Sequence, residues 1–360
     1  SITGTTIDAD TVVSALSTSN LTLTAVNEFW VKESINSPSA NSLTLKSEKY
    51  VVLNANVDIT TGGGDIILWS NTTNTTSGTT NNEINFAGSN TLTSNGGDII
   101  LAGGLDTNGD DIPDGYAYRG GYAGAAVTLG TNTSISSNGG NIIIKGQSGT
   151  SGESGNNGII SAPGLKIDSG TGIIEIDGIS GNSNTGVELS NGDGDTVITS
   201  SSTLSSAISI TGESTLGGIG VRLGNSGSSS SDTLIQASGI GGGISITGTS
   251  NSTYGYFGMT DGTLQILAQS GDIVLKGVNT AGGTSASNAD FKHGFGSNAS
   301  PFYLGNRKDA TPINGVTPIV TTSSSDITMQ GDFLSWGDDE PVINTTGAFT
   351  VESVSNSFST

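Results

Sequence analysis

The chain has 360 residues, 32 of them acidic and 11 basic, for a net charge of −21, an excess that repels nucleic acid and anionic lipid and favours cations. It has no cysteine, so disulfides cannot stabilise it, and no apolar run approaches the roughly 20 residues of a membrane span. Charged residues make up only 12% and glycines number 56, yet Ile, Leu and Val gather in short alternating runs that a solvated low-complexity chain has no reason to keep. The composition therefore predicts an ordered all-β protein. Starting at Ser1 without an initiator Met or a signal peptide, the chain is expected to be a mature or excised piece.

One short sentence recurs along the chain: "GGGDIILWS" at 62 to 70, "GGDIILAGG" at 96 to 104, "GGNIIIKG" at 139 to 146, "SGDIVLKG" at 270 to 277 and "SSDITMQG" at 324 to 331. Around it lies a longer unit of roughly 30 to 36 residues. Copies begin at Ile84, Gly124, Gly158, Gly186, Gly220 and Gly255, each giving a strand, a polar turn, a second strand, a Gly-rich turn and a third strand that closes at Gly. The runs are four to six residues long and bounded by Gly, Asn, Ser and Asp, which supply positive-φ turns. No helix-period segment longer than about ten residues follows Leu16, which removes βαβ folds.

Matching strands at this period imply a chain wound into a coil, each strand above its counterpart one turn below. The expected fold is a parallel β-helix of roughly ten or eleven turns, stacked about 4.8 Å apart. Ile66, Ile99, Ile142, Ile273 and Ile327 should form one inward column, and Leu68, Leu101, Ile144, Leu275 and Met329 another, two residues on. The positions between them (Ile67, Ile100, Ile143, Val274, Thr328) should face out. They are unusually apolar for a solvent face, so turn excursions or a partner should cover them. Asp65, Asp98, Asp272 and Asp326, with Asn141 in register, should line one corner, chiefly as turn residues and alternatively as a cation ladder.

Residues 19 to 70 carry "LTLTA", an extended "FWVKESI", then "SLTLKSEKYVVLNANVDITTGGGDIILWS". This run resembles the filamentous-haemagglutinin-like exoproteins of bacteria, the large adhesins exported by two-partner secretion. The likeness covers 5 to 105 and is that of generic β-helix repeats further on. It implies a right-handed parallel β-helix, a short introductory helix at "IDADTVVSAL" (7 to 16), export to the cell surface, and adhesion or scaffolding. The family's amino-terminal Asn-Pro-Asn-Gly secretion signature has no counterpart here, so the resemblance implies an interior or carboxy-terminal segment.

At "LDTNGDDIPDG" (105 to 115) the repeat breaks into an excursion over 106 to 123. Asp106, Asn108, Asp110 and Asp114 fall at positions 1, 3, 5 and 9 of a calcium loop, with the Ile112 carbonyl at position 7. The stretch is similar to the acidic loops of thrombospondin type 3 and dockerin modules. Asp111 stands where such loops carry Gly, and Ala117 where a bidentate Glu would complete the shell, so carbonyls or another loop must supply further oxygens. Bound Ca2+ would have the roughly 10⁻⁴ to 10⁻³ M dissociation constant of extracellular modules. The alternative is an acidic surface turn. Next, Tyr116, Tyr118 and Arg119 lie among glycines, either as a sugar-binding surface or as rings closing a Gly-rich loop over the core.

Regular repeats occupy 124 to 277, and an insertion follows over 278 to 323. It concentrates Phe291, His293, Phe295, Phe302, Tyr303 and Arg307, and reads as a ligand or partner surface or as a flap over the outward Ile column. The last turns are expected over 324 to 360. A chain without cysteine and with one histidine has almost no material for thiol chemistry, His-based triads or multi-histidine zinc sites, so no catalytic residue is assigned. A β-helical polysaccharide-active enzyme using a carboxylate pair is the remote alternative. Ice binding lacks a regular Thr-x-Thr column. The leading expectation is a secreted or cell-surface adhesin segment, a calcium-stabilised stalk that binds a glycan or protein of a host or cell surface. The competing one is a structural subunit of a fibre, sheath or surface layer that self-associates end to end.

Overall fold

A computed structural model gives the architecture. It describes residues 6–76, 81–121, 124–150, 156–189, 192–224, 231–258, 262–281, 290–293, 302–305, 312–319, 323–336 and 341–355. The chain coils into three long parallel sheets: a first sheet with a continuous path of eleven strands, and second and third sheets of ten strands each. Successive strands of one sheet come from successive turns of the coil, and this is a parallel β-helix.

The register is the one the repeated sentence dictates. Ile99 pairs with Ile66 below it and with Ile142 above it, and Leu101 pairs with Leu68 and Ile144. Farther along, Ile273 pairs with Ile327 and Leu275 with Met329. All ten residues are fully buried. Ile59, Leu92, Ile135, Ile167, Ile198, Ile235 and Ile266 form the matching column of the third sheet, and one continuous core runs the length of the coil.

The repeated Gly closing the third run has a different role from a strand terminator. Strands such as Ile142–Ser148 and Ile208–Ser214 run two residues past it. Gly146, Gly178, Gly212 and Gly248 stack in one inward column of the first sheet. Opposite them stand Gly158, Gly186, Gly220 and Gly255 at the start of second-sheet strands, and a Cβ at Gly146, Gly178, Gly212 or Gly248 would overlap the carbonyl oxygen of its facing glycine. The missing side chains let two sheets approach backbone to backbone.

Corners are held by stacked polar groups. Asp98 N–H donates to Asp65 Oδ1 at 2.8 Å, Asn141 N–H to Asp98 Oδ1 at 2.6 Å, and Ile173 N–H to Asn141 Oδ1 at 3.1 Å. Of the predicted Asp column, Asp65, Asp98 and Asn141 thus form a ladder in which each side chain accepts an amide of the next turn, and Asp326 accepts the Ala348 amide in the same way. A second ladder of buried hydroxyls, Thr61, Ser94, Ser137 and Ser169, donates to the carbonyls of Gly64, Gly97, Gly140 and Gly172.

The two ends differ. The helix Ala9–Leu16 lays Val12 and Leu16 over the first turn, and Asn41 Nδ2 donates to the Leu16 carbonyl at 2.7 Å. At the other end Phe349 and Val351 continue the two inward columns above Ile327 and Met329, yet they are 43% and 42% exposed.

Candidate functional site

The outward apolar residues are covered by the chain itself, in two places. Ile67, Trp69, Ile100 and Ala102 on the outer face of the first sheet form a small second core, with Ile112 and Ile143 packed against it. Ile112 comes from the 104 to 116 excursion, whose neck is closed by Gly115 N–H donating to the Gly103 carbonyl at 2.9 Å. Trp69 Nε1 donates to the Gly104 carbonyl at 2.8 Å, and the Lys46 ammonium lies 3.5 Å above the Trp69 ring.

The second cover is the stretch 312 to 319. Ile313, with Val316 and Ile319, packs on Val197, Leu234 and Leu267 of the third sheet. Gln236 fixes this stretch, since Ile319 N–H donates to its Oε1 at 2.8 Å. Part of the insertion is therefore a flap, but over the third sheet and not over the Ile column. The 104 to 116 excursion covers Ile67, Ile100 and Ile143 of that column instead, and Val274 and Thr328 belong to neither of the two outer clusters.

Within that excursion the predicted calcium donors are occupied by their own loop. Asp106 accepts amides of Gly109 at 2.6 Å, Asp111 at 2.9 Å and Asp110 at 3.2 Å. Asn108 Oδ1 accepts the Asp110 amide at 3.1 Å, and Asp110 Oδ1 accepts the Ile112 amide at 3.0 Å. Asp114 accepts both the hydroxyl and the amide of Thr107, the latter at 2.7 Å. Asp111 sits at φ 64°, the left-handed turn that Gly supplies in other such loops. Partial desolvation opposes ionisation of Asp106, but its three amide donors hold the carboxyl below the usual range; the Thr107 hydroxyl and amide do the same for Asp114. Among the described residues no three His, Cys, Asp or Glu side chains converge as a metal centre.

The remaining candidates separate. Tyr118 is buried, its hydroxyl donating to the Thr76 carbonyl at 2.8 Å, so it closes the loop over the core. Arg119 pairs with Glu83 in a largely buried ion pair. Burial raises the Glu83 carboxyl, against the opposing pull of Arg119. Phe302 is a fully buried core residue stacked on Leu264, and Tyr303 lies beside the 312 to 319 flap. Both are thereby removed from the proposed surface or confined to its edge. Phe291 and His293 belong to a second-sheet strand paired with Tyr256–Gly258 and Leu334–Trp336. Phe295 and Arg307 lie outside the described residues.

Tyr116 reaches a polar outer face. Its hydroxyl donates to Asp177 Oδ2 at 2.6 Å, two turns away on the first sheet. Here the first-sheet strands are seven residues long and their outward positions form a grid: Lys145 and Gln147, then Glu175, Asp177 and Ile179, then Ser209, Thr211 and Glu213, then Ser245, Thr247 and Thr249. Lys145 Nζ lies 3.2 Å from Glu175 Oε1. A cleft of about 270 Å³ opens on this grid, lined by Ile173, Ile174, Glu175, Asp177, Ser206, Ser209 and Thr211. Burial raises the Asp177 carboxyl above its ordinary range, in spite of the Tyr116 hydroxyl and Lys145, and both burial and Asp177 raise the Tyr116 phenol. No local pattern points to this cleft, because its residues sit in ordinary repeats and meet only when the coil stacks.

No known protein family matches the chain, and no curated protein or solved structure matches it. No helix among the described residues is long and apolar enough to cross a membrane.

Proposed function

We propose that this chain is a segment of a secreted or cell-surface bacterial adhesin of the filamentous-haemagglutinin-like kind, a β-helical stalk that carries a ligand-binding face. One observation carries the reading. The coil covers two outward apolar clusters with its own excursions, through Ile112 and through Ile313, but leaves the polar grid of Glu175, Asp177, Ser209 and Thr211 open as a cleft. A purely mechanical spacer has no use for that distinction, whereas a polar concave face on a rigid scaffold suits recognition.

Calcium belongs to the same reading. The excursion places Asp106, Asn108, Asp110 and Asp114 on one short turn already wound around its own amides, and a hard dication would neutralise their mutual repulsion. A glycan array probed with and without chelator tests the whole: saccharide binding that weakens in chelator supports it, and a surface that ignores every sugar overturns it. Melting in excess chelator isolates the ion, because an unchanged midpoint removes calcium as a structural element.

The second reading, a subunit of an extracellular fibre or sheath, is favoured by the open carboxy-terminal turn with Phe349 and Val351 exposed. Particle length by electron microscopy decides it: rods in multiples of one coil support assembly, and a single length at high concentration counts against it.

A further inference from the structure

We infer that the cleft beside Tyr116 binds a neutral saccharide chain laid along the axis of the coil; this rests on the adhesin reading and assigns its ligand class and its site. The argument begins with register. Glu175, Ser209 and Ser245 occupy one outward column, and Asp177, Thr211 and Thr247 the next, so hydroxyl-binding groups recur from turn to turn. Turns are about 4.8 Å apart, which presents a polymer of ring units with the same pair of polar groups again and again. Carboxylates accept hydrogen bonds, and Ser and Thr hydroxyls both donate and accept, the mixture that sugar hydroxyls require.

The Tyr116 hydroxyl donates to Asp177 at the edge of the cleft, so that carboxylate is fixed in place before a ligand arrives, and Ile173 on the lining supplies apolar surface for the face of a sugar ring.

Charge narrows the ligand. Glu175 is already paired with Lys145 and Asp177 with the Tyr116 hydroxyl, so both carboxylates have partners before a ligand arrives. The surplus of negative charge on the chain and the two carboxylates in the cleft repel uronates, sialylated glycans and phosphates. A neutral chain of hexoses or N-acetylhexosamines remains.

The test is saturation-transfer NMR and calorimetry on the intact chain with cellotriose, maltotriose, mannotriose and N,N′,N″-triacetylchitotriose, with trigalacturonate as the charged comparison. At least one neutral trisaccharide should bind saturably and trigalacturonate should not. In the double variant Ser209→Ala/Thr211→Val that affinity should fall at least tenfold while the melting midpoint stays near that of the parent. Outward Thr249→Val, beyond the lining of the cleft, should leave affinity unchanged and serves as the control. Neutral binding that survives the double variant would overturn the site while leaving the adhesin reading intact. Absence of binding to every trisaccharide overturns the inference, and the adhesin reading falls with it only if the array is blank as well. Preference for trigalacturonate overturns the ligand class.

Discussion

The facing glycines are the residues on which the cross-section depends. Because a Cβ at Gly212 would overlap the carbonyl of Gly220, Gly212→Ala must push the first and second sheets apart over several turns. Overpacking of this kind costs about 1–3 kcal/mol or more, so the urea midpoint should fall clearly, whereas Ser245→Ala on the outward face should stay within about 0.5 kcal/mol of the parent. Equal midpoints for the two variants would show that the coil does not need its pinch. Asp177 gives a pH signature with the opposite sign to ordinary carboxylates. Its folded pKa is raised by burial, so the folded state holds the proton more tightly than the unfolded chain, and the stability this contributes is present at low pH and lost as pH rises from the unfolded value, about 3.9, through the raised one. Asp177→Asn should therefore remove that fall and raise the melting midpoint at neutral pH relative to the parent; a midpoint that drops at pH 7 would mean that the ionised carboxylate is favoured in place. At this scale the inward columns were legible in the sequence, since alternation specifies which side chains face in. The pinch was not, because a Gly beside a turn signal reads as an end of strand until its opposite number on another sheet is known.

Elements that leave the coil behave differently from the turns they interrupt. The 104 to 116 excursion attaches through its neck at Gly103 and Gly115, the Trp69 indole, the Tyr116 hydroxyl on Asp177 and the apolar side chain of Ile112, set against Ile67 and Ile100. Ile112→Asp should lift it off, since an unpaired carboxylate cannot be buried there without a partner. The expected result is new dye-binding apolar surface and faster proteolysis between residues 104 and 116, with the main unfolding midpoint little changed, because the turns beneath keep their own core. Loss of the main transition would instead make the excursion integral to the coil. The acidic spacing of this loop was visible in the sequence, and so was the need for something to cover the outward Ile residues. That one element meets both descriptions was not legible, because it depends on where position 7 of the acidic loop lands after the chain returns. The Tyr116 to Asp177 bond escaped for the same reason: it joins residues 61 apart in sequence, and no local pattern encodes a contact made between turns.

For the molecule as a whole, a stack in which each turn touches only its neighbours is nearly one-dimensional, so its stability is a sum of turns and of interfaces between them. Terminal turns lose one interface each. At the amino-terminal end the helix Ala9–Leu16 replaces it, burying Val12 and Leu16; at the other end the inward Phe349 and Val351 are exposed. Hydrogen exchange should accordingly run as a gradient. Amides of Phe349–Glu352 should exchange fastest among the first-sheet strands and those of Ile99–Gly103 and Ile142–Ser148 slowest, with protection rising from the carboxy-terminal end inward over two or three turns. Leu16→Ala, a deletion of fully buried methyl groups that costs about 2–5 kcal/mol, should create a second fraying front at the amino-terminal end and leave the central turns unaltered. Raising protein concentration sharpens the test. If copies meet through the open turn, protection at Phe349–Glu352 must climb with concentration while the centre does not change; protection that stays flat confines the coil to a single rod, and uniform exchange along the chain would refute nearest-neighbour stacking as the source of its stability.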